Sequence, residues 1–136
     1  MPIIENTRRL KSCVGEYDFA VDGGAVSTIT LRASSGDVQG NEIPSGAIIT
    51  GGYIEVDTIL ASGGSATVSA GSEAAGDLLG ATAFGSSPWS STGRKSITPA
   101  FTGATTVKTT AKRSLSIAIA TAALTGGKFR VVVFYR

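Results

Sequence analysis

The chain has 136 residues, which fits one domain, and a domain of this size can bury roughly two-thirds of its unfolded surface. It has no histidine and one cysteine, Cys13, which excludes histidine-based acid–base catalysis, nearly all transition-metal sites and a disulfide within the chain. All ten acidic residues lie between Glu5 and Asp77, whereas eight of the twelve basic residues lie between Arg94 and Arg136.

Residues 1–14 are expected to form an extended N-terminal arm, with the folded domain over residues 15–136. The arm is polar and basic, with Arg8, Arg9 and Lys11, and no apolar segment of a secretory signal follows it. Terminal arms of this kind often become ordered only when something binds them. No run approaches the ~20 apolar residues of a membrane helix, so no membrane partner is expected.

Alternation of apolar and polar residues, which is typical of strands, dominates the rest of the chain. The first alternating run covers Tyr17–Val21, ends at the predicted turn Asp22–Gly24, and is followed by a run around Ile29 and Leu31. The later strand-like runs are Ala47–Thr50, Tyr53–Leu60, Ala66–Ala70, Ser96–Phe101, Thr105–Thr110, Ser114–Ile119 and Lys128–Arg136.

Glycine-rich segments separate these runs. Ser62–Ser65 is predicted to be a hairpin-like turn and Thr125–Gly127 a turn into the last strand, while Gly51-Gly52 indicates a bulge or bend. Glu73–Leu79 is a weak helix candidate that Gly76 divides, so we expect a loop with one turn at most.

Many short strands with glycine-rich turns predict an all-β fold, an antiparallel β-sandwich or jelly roll.

The last predicted strand has apolar residues on both faces, because Val132 and Phe134 lie opposite the core-facing set. Either the strand is buried on both faces or its outer face is a subunit contact. Trp89, in the predicted loop Phe84–Gly93, is expected to anchor that loop on the sandwich or to lie at an interface. The candidate subunit-interface residues are therefore Trp89, Val132 and Phe134.

Glu55 and Asp57 lie two apart on one strand face, a spacing that would suit a cation or an acid–base pair. No further oxygen ligand is grouped with them, so we expect a polar outer face with cross-strand partners such as Arg130 or Lys108. No catalytic residue, metal site or cofactor is predicted, and the chain is not expected to be an enzyme.

The basic doublets Arg94-Lys95 and Lys112-Arg113 would suit a stacking surface for single-stranded nucleic acid together with nearby aromatic residues. The alternative, which we favour, is that the acidic and basic halves interleave in one sandwich and neutralise each other. Head-to-tail contact between copies, or contact with a host surface, is a third explanation for the asymmetry.

Three segments carry a family resemblance: Ile43–Ile54, Ala66–Gly71 with Asp77–Ala83, and Leu124–Tyr135. Their order and spacing resemble the head-decoration (cement) proteins of tailed phages and prophages, which are small β-rich virion proteins. The resemblance spans roughly Tyr17–Arg136 and implies a non-enzymatic protein, without catalytic residues, that binds an assembled capsid lattice, usually as a trimer.

We therefore expect a protein of the capsid exterior, made in the host cytoplasm, that stabilises the phage head as a homotrimer and has the major capsid protein as its partner. Arg8, Arg9 and Lys11 are the candidate capsid-binding residues, although they match no family motif. The alternatives are a phage tail, baseplate or fibre component, or a carbohydrate- or nucleic-acid-binding β-sandwich module.

Overall fold

A computed structural model describes residues 11–33, 42–97 and 107–136. Its elements are β1 (Lys11–Asp18), α1 (Phe19–Asp22), β2 (Ser27–Thr30), β3 (Arg32–Ala33), β4 (Glu42–Ile43), β5 (Ile49–Ser62), β6 (Thr67–Gly71), β7 (Leu79–Ala83), β8 (Gly93–Ser96), β9 (Arg113–Ser114), β10 (Ser116–Ala120) and β11 (Leu124–Tyr135). Within the described ranges, no helix has the length and apolarity needed to cross a bilayer.

The strands form two main sheets and one small pair. Sheet A has the order β3-β1-β11-β5-β8, sheet B has the order β2-β10-β6-β7, and β4 pairs with β9. All of these pairings are antiparallel, and side chains from both main sheets form one buried apolar core. The predicted all-β, antiparallel fold class is confirmed.

β11 is the middle strand of sheet A, with β1 on one side and β5 on the other. Phe129, Val131 and Val133 are buried in the core, as the alternation predicted. The strand is longer than expected, because the predicted turn at Thr125–Gly127 is a set of register irregularities within β11. Gly127 has φ +135°, a backbone conformation that glycine adopts more readily than other residues.

The start of the domain differs from the expected boundary at residue 14. Residues 11–14 belong to β1 and pair with the end of β11, and Cys13 is 1% exposed. They are therefore part of sheet A and not of an arm. Residues 1–10, including Arg8 and Arg9, lie outside the described residues.

The first predicted strand ends earlier than its alternation suggested. The Asp18 carboxylate accepts a hydrogen bond from the N–H of Ala20, and the Asp22 carboxylate accepts one from the N–H of Asp18. These two local bonds turn the chain into the single helical turn α1. Val21, predicted to face the core, is therefore 65% exposed.

The three segments in which glycine was expected to interrupt regular structure have different conformations. A register irregularity lies opposite Gly51, as predicted, and a Cβ at Gly52 would collide with the Val132 carbonyl oxygen. The predicted hairpin-like turn at Ser62–Ser65 instead links β5 of sheet A to β6 of sheet B. The Glu73–Leu79 segment contains no helix, because the Asp77 carboxylate accepts hydrogen bonds from consecutive N–H groups of the preceding loop.

Candidate functional site

Salt bridges join the acidic and basic halves of the chain. Of seven cation–carboxylate contacts within the described ranges, six connect a carboxylate of the first half to a basic residue after residue 93. They are Glu55–Arg94, Glu42–Lys112, Glu73–Arg113, Glu16–Lys128, Glu55–Arg130 and Asp57–Arg130. The interleaving of the two halves is thus confirmed for the described residues, including Arg94 of the first basic doublet and both residues of the second.

Glu55 and Asp57 lie in a charged cluster on the outer face of sheet A. Arg94 donates to Glu55 at 2.8 Å, and Arg130 lies 3.8 Å from Glu55 and 3.5 Å from Asp57. The hydrogen bond from Arg94 lowers the pKa of Glu55. The two carboxylates considered as a possible cation site are therefore paired with the guanidinium groups of Arg94 and Arg130. Arg130 is one of the two cross-strand partners predicted for them.

A second ionic cluster joins two loops. Arg113 donates to Glu73 at 2.7 Å and 3.2 Å, and the hydroxyl and N–H of Thr110 donate to the same carboxylate. The Arg113 bond, followed by those from Thr110, lowers the pKa of Glu73 to about 2. No group of three or more potential metal-ligating side chains occurs among the residues that the structure describes.

Next to the charged cluster, the outer face of sheet A is apolar. Val132 lies in register between Val14 of β1 and Tyr53 of β5, and the rings of Tyr53 and Phe134 are 6.1 Å apart. We call Val14, Tyr53, Val132 and Phe134 the outer patch. Val132 is only 7% exposed because its neighbours surround it, whereas the other three are half-buried.

Val132 and Phe134 were predicted from the sequence as interface residues, whereas Val14 and Tyr53 were not. Tyr53 and Val14 belong to strands far apart in the sequence from β11 and from each other. The alternation along each strand indicates that its residues share a face, but the strand order that brings the faces together is a tertiary property. The guanidinium group of Arg94 lies 5.2 Å from the Tyr53 ring centroid and marks the border with the charged cluster.

Trp89 is a loop anchor and has no exposed surface. Its ring is fully buried and lies 4.7 Å from the Phe129 ring, and its carbonyl accepts a hydrogen bond from Leu60. This agrees with one of the two alternatives offered by the sequence. The assignment of Trp89 to a subunit interface is corrected, because the side chain belongs to the core of its own chain.

Lys11 is exposed at the start of β1, opposite Tyr135. It is the one candidate capsid-binding residue within the described ranges. The structure thus brings Lys11 to the end of sheet A at which β11 finishes, on the face of Tyr135 and Cys13 and not on that of Phe134.

No family model matches the chain, and no curated protein matches it. Among solved structures, a chain in the acidic stable capsid of Helicobacter pylori bacteriophage KHP30 matches with a TM-score of 0.59 and 16% identity, over 93% of this chain and 86% of that one. This chain shares its fold with that chain of the capsid structure.

Two further capsid structures contain the same fold. A chain in the cyanophage Pam1 capsid asymmetric unit has a TM-score of 0.59 and 20% identity, and covers 93% of this chain and 84% of its own. A chain in the capsid of Ralstonia phage GP4 has a TM-score of 0.56 and 18% identity, and covers 93% and 83% respectively. At these identities the similarity establishes the fold.

Proposed function

We propose that this chain is a non-enzymatic structural protein of a phage virion, and specifically a head-decoration protein that binds and stabilises the assembled shell. The observation that carries the proposal is that chains in three phage capsids share its fold over 93% of its length. The order and spacing of the segments that resemble cement proteins support the same role.

The chemistry of the described residues also favours a binding role. The carboxylates that could have formed a reactive pair, Glu55 and Asp57, are held by Arg94 and Arg130. Glu73, whose pKa is strongly lowered, is held by Arg113 and Thr110 in a contact between loops. These groups therefore act in the structure as ion-pair partners.

We further propose that the protein is a homotrimer whose subunits meet through the outer patch. Phe134 and Tyr53 are large, partly exposed aromatic residues on the outer face of sheet A. Apolar surface of this kind commonly marks an interface. Val132, which these side chains almost cover, would form the floor of that contact.

The N-terminal arm is proposed to help the protein dock on the major capsid protein at the outside of the shell. Arg8 and Arg9 supply its charge, with Lys11 following at the start of β1, and three arms on one trimer would bind the lattice together more strongly than one. Deleting residues 2–10, which leaves β1 intact, should preserve the fold and the trimer but abolish binding to heads. Full binding by the deleted protein would contradict this role.

The direct test is to locate the protein in the virion. Mass spectrometry of separated heads and tails, together with immunogold labelling of intact particles, should find the chain on the outside of the head. Heads made without its gene should assemble but lose their DNA at a lower temperature. Labelling confined to tails would replace the decoration role with a tail, baseplate or fibre role, and absence from purified virions would contradict the proposal.

A further inference from the structure

Three basic residues lie at one end of sheet A, and two of them, Arg136 and Lys108, form a row with Ile48 between them. Lys11 is opposite Tyr135, which is followed by Arg136, and Arg136 exchanges two backbone hydrogen bonds of 2.8 Å and 3.0 Å with Ile48. Ile48 in turn forms an antiparallel bridge with Lys108. Neighbouring strands are about 4.8 Å apart, so the row from Arg136 to Lys108 crosses roughly 10 Å. We call Lys11, Lys108 and Arg136 the basic end.

Arg136 and Lys108 continue the outer patch, whereas Lys11 lies at the same end of the sheet on the face of Tyr135 and Cys13. Residues directly opposite each other in antiparallel pairs share a face, which places Arg136, Ile48 and Lys108 together. Tyr135 and Ile49 are buried on the core side, so these three residues lie on the outer face, next to Phe134. Ile48 is 43% exposed and supplies an apolar contact among the charges.

Within the described ranges, these three basic residues differ from the others because they form neither a salt bridge nor a side-chain hydrogen bond to a carbonyl group. Six of the other basic residues in the described ranges form salt bridges with the chain's own carboxylates. Lys95 donates instead to the carbonyl groups of Ser91 and Thr92. Lys11, Lys108 and Arg136 are exposed and form no salt bridge with any residue that the structure describes.

A second copy of the chain has no free carboxylate to offer from the described ranges. Six of the eight acidic residues there pair with basic side chains, and the other two, Asp18 and Asp77, accept hydrogen bonds from backbone N–H groups. A symmetric contact between two basic ends would also bring like charges together. Among the described residues, neither this chain nor a second copy supplies a carboxylate for the basic end, which favours a different molecule as its partner.

We infer that the basic end docks on an acidic protein surface of the capsid shell, through Lys11, Lys108 and Arg136 around Ile48. The inference rests on the proposed function and identifies the docking surface for it.

Nucleic acid fits this surface less well than a protein does. Single strands bind where bases stack on open aromatic faces. Tyr135, next to Arg136, is buried, and on the outer face Tyr53 and Phe134 pack on each other while Arg94 lies over the Tyr53 ring. The residue at the centre of the row, Ile48, is aliphatic and suits an apolar protein contact.

The test uses the full chain and heads of the encoding phage assembled without it. Binding of wild-type protein, the triple variant Lys11→Ala/Lys108→Ala/Arg136→Ala and the control Lys112→Ala is measured by co-sedimentation across a salt series. Lys112 is an exposed lysine paired with Glu42, so its variant removes a charge outside the basic end. Circular dichroism and sedimentation of the variants establish that fold and oligomeric state are unchanged.

We expect the triple variant to bind heads at least ~10-fold more weakly, with a reduced salt dependence, and Lys112→Ala to bind like wild type. Equal binding by the triple variant would overturn the inference and leave the decoration role intact, whereas failure of wild type to bind would overturn both. Tight, basic-end-dependent binding to oligo-dT with no effect on head binding would replace the protein partner with nucleic acid.

Discussion

At the scale of single residues, one aromatic contact ties the loop between β7 and β8 to the core. Trp89 packs on Phe129, which itself lies 5.1 Å from the ring of Tyr17. These three rings connect a loop, the middle strand of sheet A and the neighbouring strand β1. Trp89 is therefore a structural residue, and its loss should weaken packing in sheet A as well as in its own loop.

Replacing Trp89 with alanine should destabilise the fold by about 3–5 kcal/mol, because the change leaves a large cavity in a close-packed core. Urea unfolding followed by far-UV circular dichroism measures the loss. Val21→Ala, at a position 65% exposed, is the control and should change stability by no more than ~0.5 kcal/mol. A loss for Trp89→Ala as small as that of the control would show that the ring is not a core anchor.

Gly51 and Gly52 are adjacent but differ in the space around them. A Cβ at Gly52 would meet the Val132 carbonyl oxygen, whereas a Cβ at Gly51 would meet nothing within 4 Å. Gly52→Ala should therefore cost about 1–3 kcal/mol by forcing β5 and β11 apart, and Gly51→Ala should be nearly neutral. Thermal unfolding of the two variants side by side makes the comparison, and equal melting temperatures would contradict it.

At the scale of elements, the alternation along each strand was readable from the sequence but the limits of several elements were not. Phe129–Tyr135 alternates as predicted because one face of β11 meets the core. α1 was missed because the Asp18 and Asp22 carboxylates bond to nearby N–H groups, a local competition that an apolar pattern does not contain.

The outer patch and the basic end were likewise only partly predictable from the sequence. Val132 and Phe134 stood out because they were surplus apolar residues on one strand. The proximity of Lys108 and Arg136 was not predictable from the sequence, where Lys108 was considered only as a partner for Glu55 and Asp57. Their proximity results from the pairing of Arg136 with Ile48 and of Ile48 with Lys108. Contacts between residues distant in the sequence depend on strand order, which periodicity does not encode.

The Glu73–Arg113 cluster links the loop after β6 to β9 and gives the fold a defined response to acid. Because folding lowers the pKa of Glu73 from 4.5 to about 2, its contribution is fully present above pH 4.5 and is lost as the pH falls through about 2. Glu73→Gln should lower the melting temperature at pH 7, and its difference from wild type should vanish towards pH 2.

Melting temperatures of both proteins across the acid range provide the measurement. Glu42→Gln removes the more exposed ion pair with Lys112 and should have a smaller effect at neutral pH. A Glu73→Gln difference that is independent of pH would show that the stabilisation comes from shape and not from the ion pair.

At the scale of the whole molecule, the chain neutralises most of its charge internally and leaves an apolar surface on one face of sheet A. If copies meet through this surface, the purified protein should sediment as a trimer at tens of micromolar. Phe134→Asp should yield folded monomers, because the contact would bury an unpaired charge. Analytical ultracentrifugation with circular dichroism separates loss of the trimer from loss of the fold.

Thr28→Asp is the matched control for this substitution. It introduces the same charge at an exposed strand position of sheet B and should leave the trimer intact. Monomeric wild-type protein would contradict the trimer, and a trimeric Phe134→Asp variant would move the subunit contact away from the outer patch.

The central position of β11 also governs the order in which the protein can be built. Cys13 pairs with Val133 across almost the whole sequence, and β5 needs the same strand on its other side. During translation, the edges of β1 and β5 that pair with β11 therefore stay unpaired until Leu124–Tyr135 has left the ribosome. Contacts this distant in sequence make folding slow, and unpaired strand edges favour aggregation in the meantime. We therefore expect the yield of native protein to fall when nascent chains associate with one another before their last strand has been synthesised.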